Sequence, residues 1–174
     1  MLDPDLLAHL ERHQLDFCVI GATALAVHGW ARYTADIDLL TLDPRVLQAA
    51  FWEGVRTPEI RTGDPTDPLL GVVRWEGDHP HDLIVGHGHA MRVALATATP
   101  STALGCPVAT ALGLVLLKLE AGGPQDRADI VQLAAVQQAL GTLDWLGAIE
   151  EHLPALTDWA RNAWDRIAPE LPKS

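Results

Sequence analysis

A short apolar run, Phe17-Cys18-Val19-Ile20, stops at Gly21 and is followed at once by Ala22-Thr23-Ala24-Leu25-Ala26-Val27-His28-Gly29, small residues at helical spacing. A compact run of this kind reads as a buried strand, and the glycine that ends it permits a tight turn straight into a helix. Strand, turn and helix in immediate succession commit the chain to a layered α/β arrangement, because a buried strand needs a partner strand beside it and a helix across its face. With 174 residues, of which 48% are apolar, the chain is long enough for one domain, or one domain with a small helical appendage.

The remaining elements extend this plan. Asp3-Pro4 is a helix-start signal, an N-cap followed by proline, and Leu6, Leu7 and Leu10 mark the apolar face of a short first helix. After the loop Trp30 to Ala35, Asp36-Ile37-Asp38-Leu39-Leu40 alternates as a strand does. Asp43-Pro44 repeats the start signal and opens a helix carrying Val46, Leu47, Ala50 and Phe51. Strands are expected at Leu69 to Trp75 and Asp82 to Val85, on either side of the turn-rich Glu76-Gly77-Asp78-His79-Pro80. Beyond Pro100 the pattern becomes helical: Pro107 to Glu120, then Asp126 to Leu140 after the break at Gly122-Gly123-Pro124, then Leu143 to Leu153 and Ala155 to Ile167, with Trp145, Trp159 and Trp164 as packing anchors. The expected architecture is an α/β (α+β) fold, a small mixed β-sheet with flanking helices over residues 1–100 and a C-terminal helical region over residues 101–174 packed on it.

The formal charge is −11 and the sequence pI about 4.9. That balance argues against sequence-independent DNA binding and against anionic membrane surfaces, both of which need a field of Lys and Arg. Cys18 and Cys106 lack metal-ligand spacing and read as reduced, buried thiols. The acidic start Met1-Leu2-Asp3-Pro4-Asp5 lacks a signal-peptide pattern, and no apolar stretch spans a bilayer, so a cytoplasmic protein is expected.

The Asp-x-Asp pattern occurs at Asp3/Asp5, where carboxylates complement a helix N-terminus, and at Asp36/Asp38, on an apolar strand. On a strand, side chains at i and i+2 share a face, so Asp36 and Asp38 stand side by side while Ile37 and Leu39 enter the core. Adjacent carboxylates repel unless a cation lies between them, and a hard divalent ion suits the role. Asp82 opens another strand. If that strand neighbours Asp36 to Leu40, three acids converge; otherwise Asp36 and Asp38 are solvated strand residues and Asp82 a turn residue. His79, His81, His87 and His89 surround Asp82 and read as solvated loop histidines, with a His/Asp transition-metal site as the competing reading. His28 reads as a packed helix-end residue, Lys118 as a snorkelling surface lysine or a buried phosphate contact, and Asp126 as the N-cap of its helix. Arg32 and Arg74 could bind phosphate or pair with acids.

The segment Gly21 to Gly29 followed by Arg32-Tyr33-Thr34-Ala35-Asp36-Ile37-Asp38-Leu39 resembles the nucleotidyltransferase core of the DNA polymerase β superfamily, and within it the AbiEii-like branch. Leu117-Lys118-Leu119-Glu120-Ala121 with Asp126-Arg127-Ala128-Asp129-Ile130 is similar to that branch's helical motif, so the resemblance covers roughly Phe17 to Leu133 in three ordered motifs. The resemblance implies a nucleotidyltransferase fold and transfer of a nucleotide from an NTP to a hydroxyl acceptor, either RNA such as tRNA, protein or small molecule. It implies Mg²⁺ (or Mn²⁺) on Asp36, Asp38 and Asp82, and nucleotide contacts at Gly21, Ala22, Thr23, Arg32, Lys118, Asp126 and Asp129. It also implies a toxin–antitoxin role with a cognate antitoxin. Ala22 stands where the family has Gly or Ser, so its methyl group is expected to crowd the phosphates, and Gly122-Gly123 replaces a segment that is often basic. These departures leave a catalytically silent nucleotide-binding or regulatory module of the same fold as the alternative.

Overall fold

In the computed structural model, residues 2–64, 66–142 and 145–172 are described. Asp3 caps the first helix, α1 (Pro4–Arg12), by accepting the Asp5 and Leu6 N–H groups at 3.0 and 3.1 Å. Strand β1 (Cys18–Val19) leads through Gly21 into α2 (Gly21–Val27), and β2 spans Ile37–Thr41. Asp36 therefore lies in the bend just before β2, one step outside the strand expected for it, where Thr34 Oγ1 donates to Asp36 Oδ1 at 2.9 Å. The helix expected from Asp43 is instead two 3₁₀ turns, Pro44–Leu47 and Ala49–Trp52, separated by Gln48 at φ −101°, ψ 131°. Trp52 Nε1 donates to the Val46 carbonyl at 2.7 Å, a bond that folds the second turn back on the first.

Strands β3 (Glu59–Thr62), β4 (Leu69–Trp75) and β5 (His81–Gly86) follow, then α3 (His89–Ala96), β6 (Thr99–Ser101) and β7 (Cys106–Val108). All seven strands form one mixed sheet in the order β3-β4-β5-β2-β1-β7-β6. The sheet thus continues past residue 100, with β7 parallel to β1 through Val19 and Val108. Helices α4 (Ala111–Ala121), α5 (Pro124–Leu140), α6 (Leu146–His152) and α7 (Asp158–Ile167) complete the chain. The early part of the helix expected from Leu143 lies at 143 and 144, outside the described residues.

Alternation along β2, β4 and β5 sorts the two sheet faces. Leu39, Val73, Trp75, Leu83 and Val85 are buried on one face, where Trp75 meets Trp52 at 5.8 Å between rings and His81 Nε2 accepts the Asp3 N–H at 3.2 Å. The other face carries Asp38, Leu40, Asp82 and Ile84. Helix α4 packs against α2, α3, α5, α6 and α7 and is buried on nearly all sides, which explains its continuous apolar sequence. Cys18 and Cys106 are buried free thiols, and burial pushes the Cys18 thiol up to about 12.

Candidate active site

Strands β2 and β5 are parallel and adjacent, with Asp38 directly opposite Asp82. In a parallel ladder, residues at the same register project from the same face, so these carboxylates share one side of the sheet. Strand β4 pairs antiparallel with β5 and sets Arg74 opposite Asp82, and β3 sets Glu59 opposite Arg74. A charged row, Glu59, Arg74, Asp82 and Asp38, crosses four strands. Arg74 Nη1 lies 2.7 Å from Asp82 Oδ2 and 3.4 Å from Asp36 Oδ2, so its guanidinium bridges two of the three acids. Its Nε reaches Glu76 Oε1 at 3.3 Å.

Asp38 takes no part in that bridge. Burial, with the charges of Asp36 and Asp82 adding to it, pushes its carboxyl up to about 6. The Ile20 N–H donates to the Asp38 carbonyl at 2.9 Å, binding the start of α2 to β2. Gly21, at φ +62°, has room only for hydrogen: a Cβ there would stand 2.0 Å from Asp38 Oδ2. Backbone conformation and the Asp38 carboxylate therefore both require glycine at this turn.

The donor set suits a hard divalent cation, with Asp38 and Asp82 on one sheet face, Asp36 in the bend before β2, and an Asp82 Oδ1 that is buried without a hydrogen-bond partner. The set is not closed around a point. Among the described residues, no three His, Cys, Asp or Glu side chains stand in a metal-holding arrangement, and Arg74 draws Asp36 and Asp82 onto itself.

Beside Asp38 opens a cavity of about 820 Å³ whose walls include Gly21, Asp38, Lys118 and Asp126. Asp36, Asp82, Ala22, Thr23, Arg32 and Asp129 do not line it. Ala22 is 2% exposed, so its methyl is turned away from the space it was expected to crowd. Lys118 is 7% exposed and does not snorkel; its Nζ donates to Asp129 Oδ2 at 2.7 Å and Asp126 Oδ1 at 3.0 Å. Asp129 is fully buried and also accepts from Trp30 Nε1, Arg32 Nε and Gln125 Nε2 at 3.2, 3.2 and 2.9 Å. Burial alone would raise its carboxyl, yet the bonds from Lys118, Gln125 and Trp30 hold it below the usual carboxylate value. Asp126 is not the N-cap of α5. Gly123 is, and Asp126 three residues later accepts the Gly123 N–H at 3.0 Å.

The histidines separate. His81 is buried on the sheet face opposite Asp82, contrary to the solvated loop expected for it, and His79 and His87 are exposed. His89 faces His152 instead, Nε2 to Nδ1 at 3.1 Å, and lines the cavity. Strand alternation thus places His81 and Asp82 where they cannot share a metal ion. His28 Nε2 bonds the Ala109 carbonyl at 2.8 Å, a packing role. Trp145 and Trp164 are buried anchors, whereas Trp159 is 54% exposed and lines the cavity.

Sequence reasoning left the cavity's apolar wall unassigned. Leu40, Ile84, Met91, Leu114, Leu117 and Trp159 come from five elements, and only the short helix α3, a stretch given no element from the sequence, would have signalled Met91.

No protein-family model matches the sequence, and no curated protein matches it. Similar solved structures include the solution structure of the antibiotic-resistance factor ANT(2'')-Ia, at 13% identity and TM-score 0.51, over 94% of this chain and 90% of that one. The crystal structure of ANT(2'')-Ia in complex with adenylyl-2''-tobramycin aligns at 13% identity and TM-score 0.53, over 92% and 94% of the two chains. An antigenic nucleotidyltransferase-like protein from Paracoccidioides brasiliensis aligns at 16% identity and TM-score 0.45, over 87% and 90%. The first two likenesses show that the chain has a nucleotidyltransferase fold. No helix among the described residues is long and apolar enough to cross a membrane.

Proposed function

We propose that this chain is a nucleotidyltransferase that moves a nucleotidyl group from an NTP to a hydroxyl acceptor and releases pyrophosphate. The observation that carries the reading is the register of β2 on β5, which sets Asp38 opposite Asp82 beside the glycine turn at Gly21. Asp36, Asp38 and Asp82 would hold Mg²⁺ or Mn²⁺, which when bound supplies charge neutralisation at the phosphates. Gly21, on the cavity wall, lets the Asp38 carboxylate stand against the start of α2. Lys118, on the cavity wall and held by Asp126 and Asp129, would contact phosphate on exchanging one of those carboxylates. Asp82, paired with Arg74 through Oδ2, would help take up the acceptor hydroxyl's proton as that oxygen bonds to the α-phosphorus and the bond to pyrophosphate breaks.

The acceptor we favour is a small molecule. A cavity of about 820 Å³ with Asp67, Glu120 and Asp126 on its walls suits a compact, cationic, hydroxyl-bearing compound, in keeping with the nucleotidylated aminoglycoside bound by ANT(2'')-Ia. A tRNA or protein acceptor, and the toxin role with its antitoxin, rest on the AbiEii-like resemblance alone.

The test is incubation with each α-labelled NTP and Mg²⁺ in the presence of an aminoglycoside panel, tRNA or bulk protein. Label should move to one acceptor class, and Asp38→Asn or Asp82→Asn should lower the rate by about 10³-fold or more, as expected for lost charge stabilisation at the reacting phosphate. Neither transfer nor Mg²⁺-dependent NTP binding would sink the enzyme reading.

A further inference from the structure

Arg74 is the cation that pairs with Asp36 and Asp82, while Glu59 at the outer end of the row is held by Arg61 Nε at 2.8 Å. Arg74 Nη1 bridges Asp82 Oδ2 and Asp36 Oδ2, while its Nε already reaches Glu76 Oε1, and Glu59 faces Arg74 across the β3–β4 ladder. The guanidinium therefore stands between two sets of acids, one on the site side and one on the outer edge of the sheet. Its side chain is 29% exposed and Asp82's is 21%, so the contact is shielded enough to persist and open enough to be exchanged. Asp82 is split by it: Oδ2 is taken by Arg74, while Oδ1 is buried with no partner. An arginine that occupies only one oxygen of a partly buried carboxylate leaves a half-satisfied acceptor, for which a second, smaller cation can compete.

We propose that Arg74 is a resident counter-cation of this site and a positioning residue for its metal. Before metal enters, it neutralises Asp36 and Asp82 and keeps the three carboxylates from closing, and on metal entry it is released toward Glu76, which its Nε already reaches. This inference rests on the metal-dependent reading above. It accounts for Asp36 and Asp82 being drawn onto one guanidinium rather than closing with Asp38 into a metal-holding set among the described residues.

Competition of this kind has a defined consequence. A site whose metal-competent state is populated for about a tenth of the time shows an apparent affinity about tenfold weaker than its intrinsic one. Removing the competitor restores that factor, and it also leaves the metal-free carboxylates repelling one another.

The experiment measures Mn²⁺ binding by calorimetry, and melting temperature with and without Mn²⁺, for wild type, Arg74→Met, Arg74→Lys and Asp38→Asn at one pH and ionic strength. Arg74→Met should bind Mn²⁺ about tenfold more tightly than wild type, melt lower without metal and gain more from it. Arg74→Lys, which keeps the charge but not the fork, should fall between them and guards against a misfolded methionine variant. Equal or weaker Mn²⁺ affinity in a folded Arg74→Met would overturn the proposal. Absence of Mn²⁺ binding in wild type and both Arg74 variants alike would overturn the metal-site reading beneath it, and the Asp38→Asn control marks that baseline.

Discussion

At the scale of single residues, the site is governed by how little room and solvent Asp38 is given. Its carboxyl stands near 6, above the ordinary value of 3.8, so between about pH 4 and 6 the native state binds a proton that the unfolded chain has released. Stability of the metal-free protein should fall as pH rises through that window and stay lower above it. Asp38→Asn removes the cost, and urea titrations at pH 7.5 should find that variant more stable by roughly 1–3 kcal/mol, a margin that vanishes by about pH 4. The same substitution is expected to lower the proposed transfer by about 10³-fold, so stability and activity should move in opposite directions. Gly21→Ala should fail differently. A Cβ at φ +62° and 2.0 Å from Asp38 Oδ2 pushes the carboxylate aside, and we expect a stability loss of about 2–4 kcal/mol with loss of Mn²⁺ binding, read from denaturant melts and calorimetry.

At the scale of elements, what could be read from the sequence depended on how much of each element's signal is local. The alternation Asp36 to Leu40 and the apolar stretch Leu69 to Trp75 report strands because half of each is buried, and β4 begins and ends where the sequence places it. β6 and β7 were hidden, since Pro100 and Pro107 each remove a ladder donor; the strands pair with each other at those very residues. α3 was hidden among Gly86, His87 and Gly88, and the turn at Asp43 carried a true cap but gave 3₁₀ geometry because tertiary packing of Phe51 and Trp52 prevailed over helix propensity. Which acids the sheet would bring together was open until β2 met β5, because strand order is set by long-range packing. The link between α4 and α5 is similar. The sequence shows Lys118, Asp126 and Asp129 at helical spacings, but that Asp129 would gather donors from Trp30 and Arg32 is a matter of fold. Removing this acceptor strands buried donors and the Lys118 charge, so Asp129→Ala should cost about 3–5 kcal/mol in chemical denaturation. Asp129→Asn, which keeps the shape and one acceptor, should lose less.

At the scale of the whole molecule, a charge of −11 and the anionic substrate we propose pull against each other. The Lys and Arg residues of the site are already committed: Lys118 to Asp126 and Asp129, Arg32 to Asp129, Arg74 to Asp36 and Asp82. A bare triphosphate approaching Asp38 therefore meets negative charge at long and short range, and a divalent cation is what reverses the local sign. Salt separates this from a polyanion binder. Screening grows as the Debye length shrinks from about 30 Å at 0.01 M to about 8 Å at 0.15 M, so metal-free NTP should bind weakly and slightly better as salt rises. A protein that grips RNA through phosphate contacts shows the opposite slope, losing affinity steeply over the same range. Equilibrium binding of NTP and of tRNA across a salt series, with EDTA and with Mg²⁺, reads both slopes at once. Flat or rising NTP affinity in EDTA, with a gain of about tenfold or more on adding Mg²⁺, is the expected result. A steep fall of tRNA affinity with salt would move the acceptor from a small cationic molecule to a nucleic acid held on a surface that the net charge conceals.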